Sequence, residues 1–275
     1  MKLIEIDICR KSRYSASMRM YYFCMLRTIA AMSLILVACA MLTPTTATAK
    51  GRLRIVYDLP EPEDVVAARI IHQSEVAEEV AQIVEEWNLL TEDVVLRFGT
   101  QIGPHFAVLH NGNLEIQIPY DFFSSTQAMF AEKKYIAQTS PATSALNTLH
   151  HAIYHELGHA IIYSQPTGIT ETMEEEAVDN LSAILLISVY EDGAEIAASA
   201  AKAFQLLATE PESRLNTKDD IRRVQEINCL IYGSNPENYK ELLTDLPVNS
   251  EALCPVRFLK YHKQWEDILS LPLPD

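Results

Sequence analysis

The chain has 275 residues, 48% of them hydrophobic and 21% charged, with a formal net charge of −15. That length supports one or two domains with a sizeable core, and the composition excludes an intrinsically disordered chain. Residues 1–49 hold six basic and two acidic side chains, a net of +4, which leaves −19 on the remainder. A body this acidic argues against nucleic acid or an anionic membrane surface as partner.

The N-terminal segment reads as an export signal. A basic stretch ends at Arg27, an apolar run follows from Thr28 to Leu42, and TPTTATAK then places Ala47 and Ala49 at the −3 and −1 positions before Lys50. The apolar run is short for a membrane span. The basic stretch is long, which leaves Met18, Met20 and Met25 as alternative starts. Leu36-Val37-Ala38-Cys39 is also the pattern of a lipobox, in which Cys39 is lipidated and becomes the first residue. A retained anchor is the third alternative. All three put residues 50–275 outside the cytoplasm as a single domain, secreted, periplasmic or tethered to the envelope through Cys39.

Within the body, Gly51 to Tyr57 alternates as a strand, which Pro60 and Pro62 end. Ser74 predicts the cap of a helix with Val76, Val80, Ile83, Trp87 and Leu90 on one stripe. Three short strands follow, VVLRFG, HFAVLH and NLEIQIPY, and His110-Asn111-Gly112-Asn113 predicts a hairpin between the last two. NLEIQIPY is expected to be either an ordinary strand or the sheet edge along which an extended peptide docks. Asp121 to Gln138 reads as a helix. From Ser144 onward the pattern is almost wholly helical, with turns at Gln165-Pro166-Thr167-Gly168, Asp192-Gly193, Glu210-Pro211 and Gly233-Ser234-Asn235-Pro236. Strands first and helices after predict an α+β fold, a small mixed or antiparallel sheet packed on the helix that carries the motif described next.

That motif is His155-Glu156-Leu157-Gly158-His159. Residues four apart on a helix share a face, so the two imidazoles can reach one ion at about 2 Å each. Glu156 then lies about 100° round the helix, beside the ion, where it can take a proton from a metal-activated water and pass it to a leaving amine. The flanking residues are apolar nearly all round, which predicts burial, and burying this trio is costly unless each member is paired or ligated. Gly158 weakens a helix, which implies a close approach there. The alternative is a core helix with hydrogen-bonded histidines. His150 and His151 read as bystanders.

A third ligand must come from further on, because residues 160–170 hold no His, Asp or Glu. The next cluster is Glu174-Glu175-Glu176-Ala177-Val178-Asp179. Glu175 and Asp179 share a helix face, so Glu175 can ligate while Asp179 orients a ligand histidine. Glu174 shares its face with Val178, Leu181 and Leu185, a stripe suited to core. A capping box from Thr172 to Glu175 explains the three glutamates without a metal, but explains Asp179, a turn deeper, poorly. Candidate hydrogen-bond donors to a reacting oxygen are Tyr163, His105, His110 and Tyr232. Cys229 and Cys254 are the only cysteines of the body, and in an exported domain they predict a bridge, two buried free thiols being the alternative.

HELGH followed by Glu175-x-x-x-Asp179 resembles the gluzincin class of zinc metallopeptidases. HELGHAII, the Pro-x-Gly turn, EEEAVDNLSA, NCLIYGSNP and a late Cys and Trp resemble, more closely, a family of exported bacterial putative metallopeptidases, over roughly Asn113 to Trp265. The resemblance implies a zincin-like fold, one zinc ion held by His155, His159 and an acid matching Glu175, Glu156 as the catalytic residue, and a Cys229–Cys254 bridge. It supplies no substrate beyond a peptide or protein, and three consecutive glutamates leave the ligand's register open among Glu174, Glu175 and Glu176. Two other readings stand beside it: a non-catalytic metal-binding envelope protein, and a zinc hydrolase of non-peptide amides.

Overall fold

The computed structural model describes residues 51–132, 139–209 and 217–274. The expected export segment, with Cys39 and the cleavage site before Lys50, lies outside them, as do the Glu210-Pro211 turn and the end of the helix expected to reach Gln138.

Strand β1 (Leu53–Tyr57) leads through helices α1 (Val65–Ser74) and α2 (Val76–Trp87) to β2 (Val94–Phe98). Sequence reading missed α1, whose buried face is only Ala67 and Ile71. Ser74 therefore ends α1 rather than capping α2. Glu75, with φ 55°, breaks the two helices apart, and the Ser74 hydroxyl donates to the Ile71 carbonyl at 2.6 Å. The stripe on α2 is buried as expected at Val76, Val80 and Ile83.

Strands β3 (His105–Val108) and β4 (Leu114–Ile118) form the expected hairpin, with Gly112 at φ 82° in its turn. The sheet order is β1-β2-β4-β3, parallel except for the β3–β4 pair. NLEIQIPY is consequently not an edge. The hairpin folds β3 back along the outer side of β4, so β4 lies between β2 and β3, and β3 becomes the edge. Val94, Leu96 and Phe98 of β2, with Leu114, Ile116 and Ile118 of β4, point to one side and join a common core with the helices.

Helix α3 (Tyr120–Glu132) precedes α4 (Pro141–Ser164), the helix of the motif. Ser140 caps α4 by accepting from the Thr143 N–H at 3.1 Å, and Pro141 occupies its first turn. Helices α5 (Glu171–Val189), α6 (Gly193–Leu207) and α7 (Thr217–Ser234), a 3-10 turn (Lys240–Asp245) and α8 (Ser250–Leu269) complete the described chain. The small mixed sheet, packed on α4 and followed by a helical C-terminal half, is the expected α+β arrangement. A disulfide joins Cys229 of α7 to Cys254 of α8. Among the described residues, no helix is long and apolar enough to cross a membrane.

Helices α4 and α5 run close together where Gly158 sits. A Cβ on Gly158 would lie 2.8 Å from Val178 Cγ1 and 2.9 Å from Val178 Cβ. The close approach expected from this glycine is thus the neighbouring helix. Val178 is β-branched and fully buried, so it cannot swing aside. Gly158→Ala should therefore destabilise the protein by about 1–3 kcal/mol despite alanine's better helix propensity. Urea denaturation should show only part of that loss recovered in the Gly158→Ala/Val178→Ala double variant, where the Cγ1 collision is gone and the Cβ contact at 2.9 Å remains.

Candidate metal centre

One face of α4 carries Thr148, His151, Ala152, His155, Glu156 and His159 in succession, and this face floors a cavity of about 1030 Å³. Its walls come from α3, α6, the start of β3 and the first turns of α5. His155 and Glu156 are buried, at 8% and 7% exposure. The Glu156 carboxylate makes no hydrogen bond to any described residue, so it keeps its acceptor capacity for whatever occupies the cavity.

The Gln165–Gly168 turn brings α5 back across the C-terminal half of α4. Glu175 then faces both imidazoles at once: its carboxylate oxygens lie 3.6 Å from His155 Nε2 and 3.5 Å from His159 Nε2. Donor atoms of the three residues all fall within 4.8 Å of one another. The far sides of the rings are also engaged. His155 Nδ1 donates to Asp179 Oδ1 at 2.9 Å, and His159 Nδ1 donates to Glu174 Oε1 at 2.7 Å. Glu176 turns the other way and accepts from the Tyr261 hydroxyl of α8 at 2.9 Å.

Glu174 is therefore not on a core stripe, as its shared face with Val178 had implied. It is half-buried and holds a histidine. The capping box is not formed either. Thr170, not Thr172, precedes the first residue of α5, and no side chain caps that end. Four turns of unbroken helix from Glu171 make Glu175 and Asp179 neighbours on the side facing α4.

Asp179 is 2% exposed, and its charge is met twice. His155 bonds it from one side, and Arg223 of α7 from the other, with Nε 3.0 and 2.9 Å from its two oxygens and Nη2 on Oδ1. Burial alone would raise the Asp179 carboxyl; His155 and Arg223 overcome it and hold the group well below the usual carboxylate range. Burial likewise opposes the charged form of His155, but its bond to Asp179 and the nearby Glu175 carboxylate prevail and raise it to about 9. The His155 imidazole beside it lowers Glu175. The Arg223 guanidinium also lies over the Phe204 ring, 4.1 Å from its centroid. Sequence reading missed Arg223. Nothing in its neighbourhood on the chain marks it, and it lies 44 residues beyond the aspartate it grips.

His150 and His151 are buried and engaged elsewhere, His150 Nε2 by Tyr190 and His151 Nε2 by Ser182. Burial lowers His151 to about 3, so it stays neutral. Of the four candidate donors only His105 lines the cavity. Tyr163 lies tilted against Phe106 outside it, His110 is exposed in the hairpin, and Tyr232 is buried beside the disulfide.

A family model described as putative metallopeptidase matches residues 57–269, and the chain belongs to that family. The match takes in strands β2 to β4 as well as both helices of the cluster, a longer stretch than the motifs alone reach. No curated protein and no solved structure matches the chain.

Removing Arg223 leaves the buried Asp179 carboxylate with His155 and with the Arg222 guanidinium 4.0 Å away. Arg223→Met keeps the stem against Phe204 and deletes the charge. Urea denaturation of the metal-free protein should show a loss of about 3 kcal/mol, the usual consequence of breaking a buried ion pair. The loss should shrink in an Asp179→Asn background, where less charge remains to be compensated.

Proposed function

We propose that the protein is an exported zinc-dependent metallopeptidase of the gluzincin type. The observation that carries this reading is the spacing of the three donors. Ligands at about 2.1 Å around a tetrahedral ion stand roughly 3.4 Å apart. The Glu175 oxygens lie 3.6 and 3.5 Å from the two Nε2 atoms, close to that separation. Both Nδ1 atoms donate to carboxylates, so each imidazole in its neutral form presents Nε2 as the acceptor, the tautomer a metal requires. Two imidazole nitrogens and one carboxylate form a donor set that suits zinc and leaves a position open.

When bound there, zinc supplies Lewis acidity, polarising a carbonyl and acidifying water. The chain's own residues do the rest. His155, His159 and Glu175 hold the ion, and Asp179 orients His155. Glu156 accepts a proton from the attacking water on its carboxylate and hands it to the leaving amide nitrogen, so no covalent intermediate forms. The bound substrate is a peptide. Edge strand β3 offers main-chain groups for an extended chain, and Pro104, His105 and Phe106 reach the cavity wall. Phe122, Met129, Phe204 and Leu207 give that cavity apolar walls for side chains. Export is supported by the leader pattern and by the Cys229–Cys254 bridge.

Elemental analysis of purified protein should find one zinc per chain, and a mixed peptide library should be cleaved in a chelator-sensitive way. Zinc without cleavage would instead favour a binding protein. Glu156→Gln is isosteric but cannot carry the proton; it should keep the zinc and lose about 10²- to 10⁴-fold in kcat.

Zinc binding should also release a proton. His155 is raised to about 9 in the metal-free protein, so below that pH it is largely protonated and the proton competes for Nε2. Zinc affinity should then rise with pH by about tenfold per unit between pH 6 and 8 and level off near 9. Calorimetric titration in buffers of different ionisation enthalpy measures the released proton directly.

A further inference from the structure

Resting on the zinc reading, we propose that Glu174 is a positioning residue for His159, and that this is why a glutamate precedes the ligand Glu175. His159 is held on both sides by consecutive residues of α5. Its Nε2 faces Glu175 Oε1 at 3.5 Å and its Nδ1 donates to Glu174 Oε1 at 2.7 Å. A neutral imidazole that ligates through Nε2 carries its single proton on Nδ1, and that proton needs an acceptor. A carboxylate is the strongest one available, through a short charge-assisted bond that fixes the ring plane and increases the donor strength of the opposite nitrogen.

The first turn of α5 makes this possible. Successive side chains leave a helix about 100° apart, so two neighbours can flank a group that lies against the helix but cannot both point at one ion. The His159 ring sits at that junction. Glu176, a further 100° round, is out of reach and fastens α5 to Tyr261. The run of three glutamates thus divides into a holder of His159, a metal ligand and a tie to the C-terminal helix.

The two histidines differ in how their holders are balanced. Asp179 is 2% exposed and its charge is met by Arg223. The Glu174 side chain is 31% exposed, and among the described residues its ion-pair partner is His159 itself. Its charge therefore falls undiluted on the ring, while its partial exposure means that the fold does not depend on it. Loss of Glu174 should weaken the metal site without unfolding the protein.

The test compares wild type, Glu174→Ala, Glu174→Gln and Glu176→Ala. Zinc affinity is measured by competition with a chromophoric chelator, coordination geometry by the visible spectrum of the cobalt(II) form, and folding by the urea midpoint of the metal-free protein. Glu174→Ala should weaken zinc by about 10- to 100-fold and shift the cobalt bands, with little change in the urea midpoint. Glu174→Gln should fall between, because its amide oxygen still accepts the Nδ1 proton but carries no charge. Glu176→Ala, which removes the same charge from the next position, should match wild type in both metal measurements. Wild-type affinity and spectrum in Glu174→Ala would overturn the assignment. An equal loss in Glu176→Ala would do so too, since the effect would then be long-range charge alone. A wild-type protein that takes up no zinc overturns the zinc reading itself, and this inference with it.

Discussion

The contact between α4 and α5 at Gly158 sets the scale for everything around the cluster. Because Gly158 carries no side chain, Val178 packs directly on the α4 backbone, and α5 passes close enough for short carboxylate side chains to span the gap to the two imidazoles. Asp179 reaches His155 with only one methylene. A wider separation would have required longer side chains with more rotamers to fix, and a site ordered by flexible arms is held less closely. The glycine lowers the intrinsic helix preference of α4, and the helix accepts this because it is buried by packing on every side.

Around that contact the polar groups form one connected set. Two histidines, three carboxylates and an arginine lie within a few ångströms, and most are shielded from water. Each would be costly alone, and each is satisfied by the next. The order runs from the cavity through His155 to Asp179 and on to Arg223, which is backed by the Phe204 ring of α6. Helix α7, which brings Arg223, is bridged to α8, and α8 is tied to α5 through Tyr261 and Glu176. The helical half of the molecule therefore braces the second side of the cluster, while the sheet and its edge strand bound the cavity.

Much of this was legible in the chain. Alternation marked β1, short β-rich runs marked the other three strands, and Asn111-Gly112 marked the hairpin. The four-residue spacing of His155 and His159, repeated between Glu175 and Asp179, marked two helix faces that had to meet, and the structure brings those residues together. What was not legible depended on pairing across the fold. Strand order decides which strand is an edge, and alternation within NLEIQIPY is the same whether the strand is central or outermost. Arg223 carries no local signal, since an arginine in the second turn of a helix is ordinarily solvated. Glu174 was misplaced because helix periodicity put it beside Val178, whereas the first turn of α5 extends past the edge of the core and meets His159 instead. Helix α1 was missed because a short helix with two buried residues has almost no period to read.

The disulfide and the arginine it braces also bear on how the chain matures. A polypeptide emerging from its N-terminus presents His155 and His159 before any of the residues that hold them. Glu174, Glu175 and Asp179 follow within 24 residues of His155, but Arg223 arrives only 68 residues after it, and the helix carrying it is bridged only after Cys254 has appeared. The cluster is therefore finished last by the part of the chain made last. A truncated chain therefore has His155, His159 and Asp179 without Arg223 behind them, and the buried carboxylate gains that partner only when the C-terminal helices are in place.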